Sequence, residues 1–118
     1  MAAISRFEDI KAWQKARLLA KEIYSITSQG RLSNDFGLRD QMRRSAVSVS
    51  ANIAEGFERQ SNKELVRFLY IAKASCGELR SHAYIAMDLN YIDKNTFDSI
   101  ANLSIETSRM LSSFITYL

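Results

Sequence analysis

The sequence predicts an all-α fold, an antiparallel up-down four-helix bundle, on three observations. Its 118 residues include no Pro and only 4 Gly, so little interrupts a helix once it has begun. Apolar residues recur at intervals of three and four through four long stretches, which is the period of a helix face. Only short polar segments separate those stretches, and short connections make neighbouring helices antiparallel. With 47% hydrophobic and 25% charged residues the composition is globular, and a chain this long buries roughly two thirds of its unfolded surface. A single domain over residues 1–118, needing neither disulfide nor metal, is the expectation.

The first helix is expected over about residues 8–29, with Trp13, Ala16, Ala20, Ile23 and Thr27 inward. It runs out in "SQGRLSND", where Gly30 can take a left-handed conformation and Ser, Asn and Asp favour a turn. The second, about 35–59, carries one continuous stripe of Leu38, Met42, Ala46, Val49, Ile53 and Phe57. Ser61 with Glu64 three residues later has the pattern of a capping box and opens a third helix over about 62–90. Its core stripe is Leu65, Leu69, Ala72, Cys76, Leu79, Ala83 and Ala86. "NYID" is the next turn, and Asp93 is the candidate N-cap of a fourth helix over about 94–118, with Phe97, Ile100, Ser104, Thr107, Leu111, Phe114 and Leu118 inward. The nearest approach to a strand is "AVSVSANI", whose brief alternation sits inside a clear helical period. No linker, repeat or low-complexity tract is visible.

Several chemistries lack their residues. Cys76 is the only cysteine, which excludes an internal disulfide and a thiolate cluster, and its place on the apolar stripe reads as a small buried thiol. A di-iron bundle needs paired Glu-x-x-His motifs; there is one histidine, His82, and Glu78 precedes it by four. His82 lies beside the core stripe and reads as a packed or interfacial imidazole. There is no Gly-rich phosphate loop after a strand, no G-x-S-x-G turn and no Ser-x-x-Lys arrangement. No catalytic residue, cofactor or metal is therefore expected, and the protein is read as a non-enzyme. No apolar run approaches the ~20 residues of a membrane span. The start "MAAISRFEDIKAW" lacks a basic stretch followed by an apolar core, so a cytoplasmic location is expected.

The charge pattern is more informative than its sum. The net charge is +3, and the excess sits in residues 1–59, with 10 Lys plus Arg against 7 Asp plus Glu. On the second helix, Gln41, Arg44, Ser48, Asn52, Glu55 and Arg59 form a polar stripe flanked by the small residues Ser45, Ala51, Ala54 and Gly56. Solvated helix faces favour Lys, Glu and Gln over Ser and Asn. The stripe is either such a face or a buried seam in which Ser48, Asn52 and Glu55 satisfy one another or a neighbouring subunit. On the third helix, Arg67, Tyr70, Lys73, Gly77, Arg80 and Tyr84 lie opposite the core, so cations and stackable rings share one face. That combination suits single-stranded nucleic acid, phosphates meeting charge and bases meeting rings; interface or plain surface is the alternative. Arg39, Arg43 and Arg44 form a second basic cluster offset by Asp40. They can bind phosphate or pair with Glu55 or Glu58 of another helix or subunit.

"QMRRSAVSVSANIAEGFER", preceded by "WQKARLLAKEIYSIT" and followed by "ELVRFLYIAKASCGEL", resembles the bacterial four-helix bundle family of proteins encoded in intervening sequences of large-subunit ribosomal RNA. That family also includes relatives of the accessory variability proteins of diversity-generating retroelements. The resemblance runs from about Phe7 to Leu118 and is most specific at Arg43, Arg44, Ser48, Asn52, Glu55, Gly56 and Arg59. It implies a homopentameric barrel, nucleic-acid binding through a basic surface and no established catalysis. "GRLSNDFG" departs from the proline-containing loop common after the family's first helix. Two functions follow as expectations. One is a homo-oligomeric RNA- or DNA-binding scaffold or accessory factor, touching nucleic acid through Arg39, Arg43, Arg44, Arg67, Lys73 and Arg80, with Ser48, Asn52, Glu55, Gly56 and Arg59 serving structure or interface. The other is an adaptor for a partner enzyme such as a reverse transcriptase, without nucleic-acid contact.

Overall fold

The computed structural model describes residues 4–118. Four helices carry them: α1 (Lys11–Thr27), α2 (Phe36–Glu58), α3 (Asn62–Asp88) and α4 (Lys94–Tyr117). Short 3-10 turns cover Phe7–Asp9 and Gly30–Asn34, and there is no strand among the described residues. Each helix packs on its neighbours in sequence, and α4 closes the ring against α1. The pairs run antiparallel. Gly56 near the end of α2 meets Leu65 and Phe68 near the start of α3, and Ser48 further back meets Ser75. Lys15 pairs with Glu106, and Glu22 accepts a hydrogen bond from Ser99. The resulting four-helix bundle measures 45 × 22 × 19 Å.

The helix ends follow from local chemistry. α1 begins at Lys11, three residues later than expected, because Phe7–Asp9 coils as a 3-10 turn and Ile10 is extended at φ −74°, ψ 119°. That kink buries Ile10 and sets Phe7 edge-on to Trp13, with ring centres 5.2 Å apart. The helix stops at Thr27, short of residue 29, where the hydroxyls of Thr27 and Ser28 donate back to the carbonyls of Ile23 and Tyr24, each at 2.7 Å. Gly30 takes the left-handed conformation at φ +59° and starts the second 3-10 turn. Asp35 then caps α2 by accepting from Leu38 N at 3.1 Å. Its other carboxylate oxygen accepts from the Tyr91 hydroxyl at 3.0 Å, which raises the phenol pKa and ties the α1–α2 connection to the α3–α4 one.

Ser61 accepts from Glu64 N at 3.3 Å, as the capping box requires, but the Glu64 carboxylate turns to Arg67 instead of reaching back. At the end of α3, Asn90 sits at φ 58° while Asn90 N donates to Met87 O and Tyr91 N to Ala86 O, both at 2.9 Å. This is a Schellman stop with Asn in place of Gly. Asp93 caps α4, accepting from Thr96 N at 2.8 Å, and that bond holds its carboxyl below the ordinary aspartate value.

The core forms two clusters along the bundle. Leu19, Ile23, Leu32, Met42, Leu79 and Ile100 fill one end, and Ala16, Val49, Ile53, Leu69, Cys76 and Leu111 the other. All seven stripe residues expected on α3 are buried. On α1 the buried line is turned by one position: Ala12 and Leu19 are enclosed, whereas Trp13 and Ala20 are only partly covered. The apolar arc of α1 is wide enough that period alone does not choose between adjacent residues; bulky Trp13 goes to the rim, under Phe7 and Arg17.

Candidate nucleic-acid interface

Of the polar stripe of α2, Ser48 and Asn52 form a part-buried seam inside the protomer, while Gln41, Arg44, Glu55 and Arg59 are exposed. Asn52 Nδ2 donates to the Ser48 carbonyl at 2.8 Å and to Ser48 Oγ at 2.9 Å. Ser48 Oγ shares a 2.9 Å hydrogen bond with Ser75 Oγ of α3, which also lies 3.2 Å from the Ile71 carbonyl. Ser75 was missed in sequence, although its place in "KASCG", seven residues after Phe68, puts it on the side of α3 that faces α2. Glu55 is not part of the seam: it is exposed and pairs with Arg59, one turn on, at 3.0 Å. Gly56 has a different reason. A Cβ there would lie 2.6 Å from the Phe68 Cβ and 3.4 Å from the Leu65 Cα, so the two helices touch at this point.

The arginines at the start of α2 divide. Arg39 donates to Asp40 at 2.9 Å and to the Ser33 carbonyl at 3.1 Å, and lies over the Phe36 ring at 4.6 Å. Arg43 donates to the hydroxyls of Thr27 at 2.8 Å and Ser28 at 3.1 Å and stacks on Tyr24 at 4.6 Å. Within the protomer its partners are thus neither Glu55 nor Glu58. A cation held at the C-terminal end of α1 complements the partial negative charge of that helix end. Arg44 is exposed, makes no ion pair or hydrogen bond among the described residues, and borders an open hollow of about 570 Å³ with Tyr24, Asp40, Arg43, Val47 and Ser48.

The basic stripe of α3 also divides. Arg67 forms a two-pronged pair with Glu64, at 3.0 and 3.2 Å, and covers Phe68 at 4.5 Å. The hydrogen bond holds the Glu64 carboxyl below its ordinary value and raises Arg67, so this cation is already matched. Lys73 and Arg80 have no such partner among the described residues. With Arg109 of α4, equally unpaired, they line an open groove of about 510 Å³ whose other walls are Ile105, Ser108, Ser112 and Ser113. No carboxylate lines it. Arg109 lies off the inward stripe of α4, and the hydroxyl-rich "ETSRMLSS" around it is its signal in the sequence. Tyr70 and Tyr84, on the same α3 stripe, are 57% and 53% exposed.

Three unmatched cations beside serine hydroxyls can hold phosphate oxygens by charge-assisted hydrogen bonds. Cys76 offers no nucleophile at neutral pH, since burial pushes its thiol up to about 11. No helix among the described residues is long and apolar enough to cross a membrane.

Residues 8–113 match the family of 23S rRNA-intervening sequence proteins. The chain belongs to this family. Among solved structures it is similar to a protein of unknown function from the S23 ribosomal protein family of Bacteroides thetaiotaomicron VPI-5482. The two share 27% sequence identity and superpose with a TM-score of 0.80, over 88% of this chain and 97% of that one. No curated protein matches the chain. The family match takes in the seam, the α2 arginines and the α3–α4 groove, and neither match connects the chain with retroelement accessory proteins.

Proposed function

We propose that this protein is a non-catalytic, homo-oligomeric nucleic-acid-binding scaffold or accessory factor, with RNA as its ligand, that grips the phosphate backbone through the α3–α4 groove. The observation that carries the reading is the convergence of Lys73, Arg80 and Arg109, all without ionic partners among the described residues, on a groove that none of their carboxylates lines. Three such cations in one groove form a local positive surface of the kind that attracts an external anion. The family's description as ribosomal RNA intervening-sequence proteins favours RNA. Arg44 extends the positive surface on another side of the bundle, while Arg39, Arg43 and Arg67 serve mainly to fasten the fold. A pentamer, as the family resemblance implies, repeats the groove around an axis and multiplies the net charge of +3.

Affinity for a structured RNA should fall with salt, with a log-log slope of roughly 0.7–0.9 per phosphate neutralised. Reversing Lys73 and Arg80 to Glu should flatten that slope without changing the protomer number by light scattering. A flat plot for the unaltered protein would sink the electrostatic reading.

A further inference from the structure

Of the two glycines in a helix interior, Gly56 and Gly77, only Gly77 has no steric reason within the molecule. Gly30 supplies a left-handed turn, Gly37 sits in the first turn of α2 beside its cap Asp35, and Gly56 allows α2 and α3 to touch. Gly77 lies in the middle of α3, and a Cβ added there would meet nothing within 4 Å. Glycine is a poor residue for a helix interior, so an unoccupied space on its side of the helix calls for a reason outside the chain. Along α3 it falls between Lys73 and Arg80, which line the basic groove, with Tyr70 and Tyr84 further along the same stripe.

We infer that the bare backbone at Gly77 is the bed of a single RNA strand, which crosses α3 there with its phosphates on Lys73, Arg80 and Arg109 and an unpaired base stacked on Tyr70. This rests on the groove being a phosphate site, as proposed above. The two tyrosines decide for a single strand over a duplex. A base stacks on a ring only if it is free of its own neighbours, and duplex bases are not. Tyr70 is exposed and has no aromatic partner among the described residues, whereas Tyr84 already has Phe97 at 4.5 Å. Removing a side chain matters only for atoms that come into van der Waals contact. A glycine between the cations thus marks where the strand's sugar or phosphate atoms touch the helix, beyond what long-range attraction would ask.

The test is fluorescence anisotropy at matched salt with a labelled oligouridine and a labelled RNA duplex of equal length. The unaltered protein should prefer the single strand. Gly77→Leu should weaken single-strand binding by at least about tenfold, and Tyr70→Ala by about fivefold or more, with Tyr70→Phe restoring it. Gly77→Leu should leave the protomer number unchanged and raise the unfolding midpoint, because leucine is the better helix former. Equal or tighter duplex binding, or unimpaired binding by Gly77→Leu, would overturn the inference while leaving the phosphate groove standing. A changed protomer number in Gly77→Leu would assign the bare backbone to a contact between copies and overturn it too. If the unaltered protein binds neither probe, or Lys73→Glu/Arg80→Glu binds like it, the groove itself is wrong and both readings fall.

Discussion

Two glycine-to-alanine substitutions of identical chemistry should have opposite effects. In a helix interior the change stabilises by about 0.5–1 kcal/mol, because glycine has more backbone freedom to lose. At Gly77 nothing within 4 Å opposes the new methyl, so the full gain is expected. At Gly56 the methyl carbon would sit 2.6 Å from the Phe68 Cβ. Carbon atoms prefer about 3.5–4.0 Å, so a gap of about 1 Å must open. The obstructing atom is fixed to the α3 backbone, and no side-chain rotation relieves it; α2 and α3 must part along their shared seam. Overpacking of that kind costs about 1–3 kcal/mol, and the upper end applies where backbone has to move. Subtracting the propensity gain leaves Gly56→Ala about 2 kcal/mol less stable than the unaltered protein, and about 3 kcal/mol below Gly77→Ala. Denaturant unfolding followed by circular dichroism, at one protein concentration to hold any assembly constant, measures both. In a thermal scan the Gly56→Ala midpoint should drop by about 8 °C. A Gly56→Ala protein as stable as Gly77→Ala would refute the close contact between α2 and α3.

Four further outcomes are expected. A double-mutant cycle with Ser48→Ala and Ser75→Ala should give a coupling of about 0.5–1.5 kcal/mol, the net worth of one hydrogen bond; no coupling would remove Ser75 from the seam. Arg43→Ala should lower stability by about 1–2 kcal/mol through its lost bonds to Thr27 and Ser28, yet leave the salt dependence of RNA binding unchanged. The buried Cys76 thiol, with its pKa raised from 9.0 to about 11, contributes stability that is complete below pH 9 and lost as pH rises through about 11. Stability of the unaltered protein minus that of Cys76→Ala should therefore shrink over that interval, and a constant difference in urea titrations would contradict the burial. Asp93→Ala removes the α4 cap and should lower the unfolding midpoint at neutral pH. Because the Asp93 carboxyl is held below 3.8, the difference should persist above that pH and fade as acid protonates the folded form; a difference that grew in acid would point elsewhere.

Much of this protein was legible as pattern. The stripe from Leu65 to Ala86 appears in the fold as written, because a seven-member repeat at three and four leaves only one face to bury. Asp93 and Ser61 cap where their types and offsets indicate, since capping is settled within four residues of chain. Local competition was harder to read. The end of α1 turned on hydroxyls at Thr27 and Ser28 that draw on the helix's own carbonyls, and its start on burial of Ile10.

The site depended on what lies across from each residue. Arg67 and Lys73 belong to the same basic run of α3, yet Arg67 has Glu64 a turn away and is neutralised while Lys73 shares an open groove with Arg109 of α4. Ser48 finds Ser75 because the antiparallel pairing of α2 with α3 sets that partner, while Glu55 pairs one turn along the chain with Arg59. By itself the sequence determined which residues make helices and which faces go inward, since both follow from short-range period and propensity. Only the tertiary structure decided what meets between helices, Ser48 with Ser75, Lys15 with Glu106, and Lys73 and Arg80 with Arg109, because helix packing and not chain order sets those neighbours.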